Sequence, residues 1–317
     1  GLPMGLNMYE NLPFWFKLFT SLNFEVVLSE PSSRELYVKG QRTIPSDTVC
    51  YPAKLMHGHI SSLAEKGVDF IFYPCMTYNF NENISDNYYN CPVVAYYPEL
   101  LSANMPALKQ IKYYAPYVGL HKPAAFKKRA AKWFFDEFNI PPRETKIAVD
   151  AAYTAYKSYK TAVQDKAQEY ITQARVAGKK ILVLAGRPYH IDPEINHGID
   201  ELITGYDLAL ISEDAISHLV DKAPQKVLNQ WTFQARMYAA ARYVCTQPDM
   251  ELIQLVSFGC GTDAITGDEM REIMESHGRL YTQIKIDDIS NLGAVRIRVR
   301  SLIAASENRN TLPERNL

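Results

Sequence analysis

The sequence predicts an α/β fold with mainly parallel sheets, arranged in two halves. Three observations carry this. Short β-rich runs alternate with helix-period segments over the first third of the chain, and the same alternation resumes at Lys179. Between them lies a stretch rich in Ala, Lys, Glu and aromatic residues with helical spacing. Strands alternating with helices make βαβ units, whose crossovers leave successive strands parallel. At roughly 100–200 residues per domain, a chain of 317 residues suits two domains.

Taken in order, Gly1-Leu2-Pro3-Met4-Gly5 reads as the tail of a strand followed by a loop. With no initiator Met, the chain is expected to be a segment of a longer polypeptide. Leu12, Trp15, Phe16, Phe19 and Leu22 recur at helical spacing over 8–22. Phe24–Leu28 is a short strand closed by Ser29-Glu30-Pro31. A helix over 52–66 has Pro52 in its first turn, where a missing N–H costs nothing. Val68–Tyr73 and Pro92–Tyr96 are the next predicted strands. From 123 to 177 the spacing predicts two helices broken at Pro141-Pro142, the second over about 143–177.

In the second half Lys180–Ala185 is the clearest strand, ended by Gly186-Arg187-Pro188, with a helix from about 194. Strands at Asp207–Ile211, Leu252–Ser257 and Leu280–Ile286 alternate with helices at 226–242, 266–277 and 293–306. On the last helix Arg296, Arg298 and Arg300 are expected to face solvent. There is no internal sequence repeat. The reading is two Rossmann-like, doubly wound domains, 1–122 and 179–317, joined by a helical segment at 123–178.

Hydrophobic residues make up 47% and charged residues 22%, and the formal net charge is -1. No global basic field draws in nucleic acid, and runs such as Lys127-Lys128-Arg129 read as solvated helix faces. No apolar run approaches the ~18 residues a membrane span needs, and no signal peptide is visible. The expected location is the cytoplasm, so the sequon Asn83-Ile84-Ser85 carries no weight. Five widely spaced cysteines argue against a disulfide framework. In a reducing compartment a Cys is a small buried hydrophobe, a nucleophile or a metal ligand.

In open parallel sheets, ligands bind beyond the carboxyl ends of the strands. That rule selects Cys75, after Val68–Tyr73, and Cys260, after Leu252–Ser257. Cys50 immediately precedes the helix at 52–66, and a helix N-terminus favours thiolate. Three converging thiolates repel one another unless a cation is present, which an iron–sulfur cubane or Zn²⁺ supplies. Gly259 and Gly261 would let backbone N–H groups approach cluster sulfides. The competing reading makes each cysteine a packing residue, and the spacing lacks the C-x-x-C pattern of zinc ribbons and ferredoxins.

Other polar candidates follow the same rule: Ser46 and Asp47 before Cys50; Arg187, Tyr189 and His190 after the strongest strand; Glu213, Asp214 and Asp263. Their alternative roles are caps for Asp47 and Asp214 and an ion pair between Arg187 and Glu213. His57 and His59, two apart on a helix, do not share a face and make a poor two-His metal site. No phosphate-binding glycine loop, dinucleotide fingerprint or nucleophile elbow is present.

Five segments resemble one family: Asn7-Met8-Tyr9-Glu10-Asn11, Pro45 to Lys54, Phe72-Tyr73-Pro74-Cys75, Gly186-Arg187-Pro188-Tyr189-His190 and Ser257 to Asp263; Leu292 to Arg298 fits the same family. It is the activase-related domain of unknown function (DUF2229 type) associated with activators of 2-hydroxyacyl-CoA dehydratases, and is distantly similar to the dehydratase subunits and double-cubane cluster reductases. The resemblance implies a [4Fe-4S] cluster on Cys50, Cys75 and Cys260, with Cys91, Cys245, water or substrate as fourth ligand. It implies low-potential electrons from an ATP-dependent activator protein or domain, passed to a small substrate such as an acyl-CoA in a dehydratase-like elimination or a reduction. Ser46, Arg187 and His190 are then expected to contact substrate or cluster sulfide, and a homo- or heterodimer is the expected assembly. The alternatives are a non-redox acyl- or lipid-binding or regulatory module of an activase-related protein, and a structural zinc protein.

Overall fold

The computed structural model describes residues 1–257, 260–288 and 291–311, with side chains through Arg309. The fold is mixed α/β with parallel sheets and divides into two compact units. The first comprises Gly1–Asn81 and Asn87–Val163; the second comprises Glu82–Asp86 and Gln164–Leu317.

The first unit contains α1 (Asn7–Ser21), α2 (Arg34–Gly40), α3 (Tyr51–Glu65), β1 (Phe70–Phe72), α4 (Pro92–Asn104), β2 (Lys112–Tyr114) and α5 (Pro123–Phe138). β1 and β2 pair in parallel, and the ladder continues in a parallel bridge between Cys75 and Tyr117. The first residues lie beside β1: Phe72 N–H donates to the Gly1 carbonyl (2.9 Å), and Leu2 bridges Leu28 in parallel. The short β-rich run Phe24–Leu28 contributes only this bridge. Phe24 instead turns inward, edge-on to Phe19 and Phe70.

Pro92–Tyr96, expected as a strand, is the first turn of α4. Cys91 is its N-cap, with Sγ accepting from Val94 N–H (3.5 Å), and Pro92 stands in its first turn. Val94, Tyr97, Pro98 and Leu101 are buried at helical spacing. A short apolar run has no period long enough to separate strand from buried helix, and the cap decides it.

Helix α6 (Pro142–Val176) follows; residues 142–163 belong to the first unit and 164–176 to the second. The second unit continues with β3 (Ile181–Ala185), α7 (Pro193–Asn196), α8 (Ile199–Thr204), β4 (Ala209–Ser212), α9 (Thr232–Cys245), β5 (Met250–Ser257), α10 (Gly261–Ser276), β6 (Thr282–Ile286) and α11 (Leu292–Thr311). The four strands form one parallel sheet in the order β4-β3-β5-β6. Every residue of β3 and β5 is buried, the mark of central parallel strands covered on both faces. Ile181, Val183, Met237, Ala240, Leu252, Met270 and Met274 form the core between strands and helices. Arg296, Arg298 and Arg300 are exposed on α11 as expected.

A chain that winds from β3 to β4 on one side and then to β5 on the other reverses direction between β3 and β5. β3 and β5 stay paired to the end of β3 (Ala185 with Gln254), and the connections that follow such neighbours leave toward opposite faces of the sheet, which opens a crevice beyond the strand ends. After β3 come Gly186 and Arg187; after β5 comes the turn into α10 at Cys260.

Candidate functional site

The second unit carries a charged constellation at that crevice. Arg187, 4% exposed, holds Asp263 with both arms of its guanidinium: one donates to Oδ1 (2.6 Å), the other to Oδ2 (3.2 Å). The first arm also reaches Cys260 Sγ (3.3 Å) and Thr262 Oγ1 (3.2 Å). Burial opposes the Arg187 charge, but the Asp263 carboxylate outweighs it and holds the cation firmly protonated. Asp263 also accepts from Ser257 N–H (2.8 Å), fastening the end of β5 to the first turn of α10. The expected pairing of Arg187 with Glu213 does not form. Glu213 Oε2 accepts instead from Gly186 N–H (3.1 Å), and burial, then Asp214, pushes its carboxyl up to about 8.

His190, 1% exposed, accepts from Arg187 N–H on Nδ1 (3.2 Å), which puts its own proton on Nε2. Burial, then Arg187, holds it neutral. Gly186 is required here, since a Cβ would meet His190 Nδ1 at 2.6 Å. Cys260 is the N-cap of α10, and Gly261 begins the helix with open space where a Cβ would stand. Gly259 lies outside the described residues. Cys260, Asp263 and Ser257 line an open cleft of about 410 Å³ that also receives Arg271 and Lys285. The Ser257 hydroxyl is buried with no hydrogen-bond partner among the described residues. Sequence reading missed that hydroxyl and the role of Thr262; the only signal was their place beside Cys260.

The first unit holds Cys50, Cys75 and Ser46. Cys50 is the N-cap of α3, and its carbonyl accepts from Ala53 and Lys54 N–H. Cys75 is fully buried at the end of the β1–β2 ladder, and burial, then Glu99, pushes its thiol up to about 11. Ser46 is exposed, in a local turn with Thr48 (2.8 Å). His57 and His59 lead separate lives. His57 Nδ1 bonds Thr43 (2.7 Å) and Nε2 bonds Tyr97 (3.0 Å), while His59 lies between Ser29 and Ser32. Within each unit, among the described residues, no three His, Cys, Asp or Glu side chains gather to hold a metal ion. No cysteine forms a disulfide, and no helix among the described residues is long and apolar enough to cross a membrane.

The donor chemistry fits an anionic, sulfur-ligated group at two of the three cysteines. Cys50 and Cys260 both cap helix N-termini, and Cys260 also faces a buried guanidinium. At Cys75 the surroundings favour the neutral thiol, so ligation there requires a cation's own charge. Fold and site together define an α/β protein with a cysteine and a locked arginine at the carboxyl edge of a parallel sheet. Residues 1–216 match the CoA enzyme activase uncharacterised domain (DUF2229), and the chain belongs to that family. The match includes Cys50, Cys75, Arg187 and His190 and ends before Cys260. No curated protein matches the chain.

Proposed function

We propose that this activase-related chain is an iron–sulfur redox protein of the 2-hydroxyacyl-CoA dehydratase type, built on two Rossmann-like domains. Cys50, Cys75 and Cys260 are its thiolate ligands for a [4Fe-4S] cluster, with low-potential electrons arriving from an ATP-dependent activator. When bound, the cluster supplies one-electron chemistry toward a small substrate of the acyl-CoA class. The observation that carries the reading is Arg187, locked on Asp263 and donating to Cys260 Sγ. The guanidinium gives an anionic sulfur a fixed positive partner, His190 holds the Arg187 backbone, and an open cleft lined by Cys260 and Asp263 admits a ligand beside that sulfur.

The test is iron, sulfide and absorption on protein prepared without oxygen, for the parent chain, Cys260→Ala and Cys245→Ala. About four irons per chain, lost in Cys260→Ala and kept in Cys245→Ala, is expected. Iron-free parent protein sinks the proposal. It would favour the second reading, a non-redox acyl- or lipid-binding or regulatory module, to which the fully buried neutral thiol of Cys75 is suited.

A further inference from the structure

The run Lys127-Lys128-Arg129 does not behave as a uniform solvated face. Lys127 pairs with Asp150 and Lys132 with Asp136 (2.6 Å), whereas Lys122, Lys128 and Arg129 have no carboxylate partner among the described residues. These three cations, with Lys132 and His121, line a cleft of about 660 Å³ whose walls contain no Asp or Glu. The cleft lies where the chain leaves the β1–β2 ladder: Tyr117 bridges Cys75, Val118 N–H donates to the Cys75 carbonyl (3.0 Å), and α5 begins after Lys122. Carboxyl ends of parallel strands and the free N–H groups of a following helix are where anions bind.

Two further observations point to a ligand. His121 Nδ1 is buried without a hydrogen-bond partner, although its ring packs on Tyr78. Tyr117, Val118 and Arg129 also wall a second, apolar slot of about 120 Å³, lined by Trp15, Phe72, Phe126 and Trp133. Trp15 is 1% exposed, and its indole N–H has no acceptor among the described residues. Buried polar groups are rarely left without a hydrogen-bond partner, because their desolvation is then uncompensated. The slot is smaller than the ~150 Å³ cavity that accepts benzene, so it suits only a few carbons.

We propose that cleft and slot form one binding site for a phosphorylated amphipathic small molecule. Its phosphates lie against Lys122, Lys128 and Arg129, and a short, mainly apolar tail enters the slot walled by Trp15, Phe72 and Trp133. The site lies within the first unit and involves no cysteine side chain, so it stands or falls separately from the iron–sulfur reading.

The test titrates the full chain, prepared with and without iron, with inorganic pyrophosphate and 3-acetamidopropyl diphosphate, following heat and tryptophan fluorescence. Both probes are expected to bind regardless of iron content, the tailed one at least tenfold tighter and with a fluorescence change. Lys122→Ala/Lys128→Ala should weaken both at least tenfold, and both positions are exposed, so folding is preserved. Trp15→Phe should weaken only the tailed probe. No binding to the parent chain, equal binding to the lysine variant, or an equal response to sulfate at matched ionic strength overturns the site. Equal affinity for the two probes overturns the assignment of the slot.

Discussion

Asp263 answers three donors at once, two on Arg187 and one on the Ser257 backbone, and is 5% exposed. Removing one member of a buried ion pair leaves the other charged and unpaired, which costs about 3–5 kcal/mol. Asp263→Ala should therefore lower stability by that order, read as a lower urea midpoint at constant slope. Arg187→Lys keeps the charge but loses the two-armed grip and the reach to Cys260. Glu213 makes stability pH-dependent. Its folded carboxyl titrates at about 8 against an ordinary value of 4.5, so the folded chain keeps a proton that the unfolded chain releases. Its contribution is complete below pH 4.5 and is lost as pH rises toward 8. His57 works in the opposite direction: burial lowers it to about 4 from 6.5, so its contribution is present above 6.5 and fades as pH falls to 4. Glu213→Gln, which keeps an acceptor for Gly186, should flatten the decline between pH 5 and 8 in denaturation curves. An unchanged profile would remove Glu213 as its source.

At the scale of elements, α2 and α3 cross through two glycines. A Cβ on Gly40 would stand 2.3 Å from Gly58 N, and one on Gly58 would stand 2.1 Å from the Leu36 carbonyl oxygen. Backbone cannot yield as a side-chain end can, so Gly58→Ala should cost at least the ~1–3 kcal/mol typical of overpacking, seen as a lower melting temperature. Gly261 behaves otherwise. It opens α10 with nothing near its missing Cβ, so Gly261→Ala should leave the iron-free chain as stable or about 0.4–1 kcal/mol more so. If the glycine lets a backbone N–H approach a cluster, as its place beside Cys260 in the sequence suggests, the same variant should bind less iron; undiminished iron would leave Gly261 without that role. Most elements were legible: α1, α3, α5, α6 and the four strands of the second unit follow from their periods. α4 was not, because Pro92-Val93-Val94 looks like a strand until Cys91 is seen capping it. β2 and α2 went unread because three and seven residues are too few to show a period.

At the scale of the molecule, the second unit takes in a short segment from far earlier in the chain. Glu82 grips Arg236, which is 1% exposed, with two bonds of 2.7 Å, and Asn229 accepts on its carbonyl from Asp86 N–H. Glu82→Ala should accordingly destabilise the second unit by roughly 3–5 kcal/mol, visible as faster amide exchange in α9. Unchanged exchange there would show the pair to be dispensable. The sequence by itself determined the α/β class, the parallel strands, most helices and the placing of Cys75, Arg187 and Cys260 at strand ends. Periodicity and turn chemistry act over a few neighbouring residues and are written there. Only the tertiary structure decided that Arg187 holds Asp263 and leaves Glu213 to Gly186, that Cys75 is wholly buried, and that Lys128 and Arg129 face a cleft while Lys127 does not. Those outcomes depend on which distant segments are brought side by side, and burial, charge pairing and unmade hydrogen bonds exist only once they are.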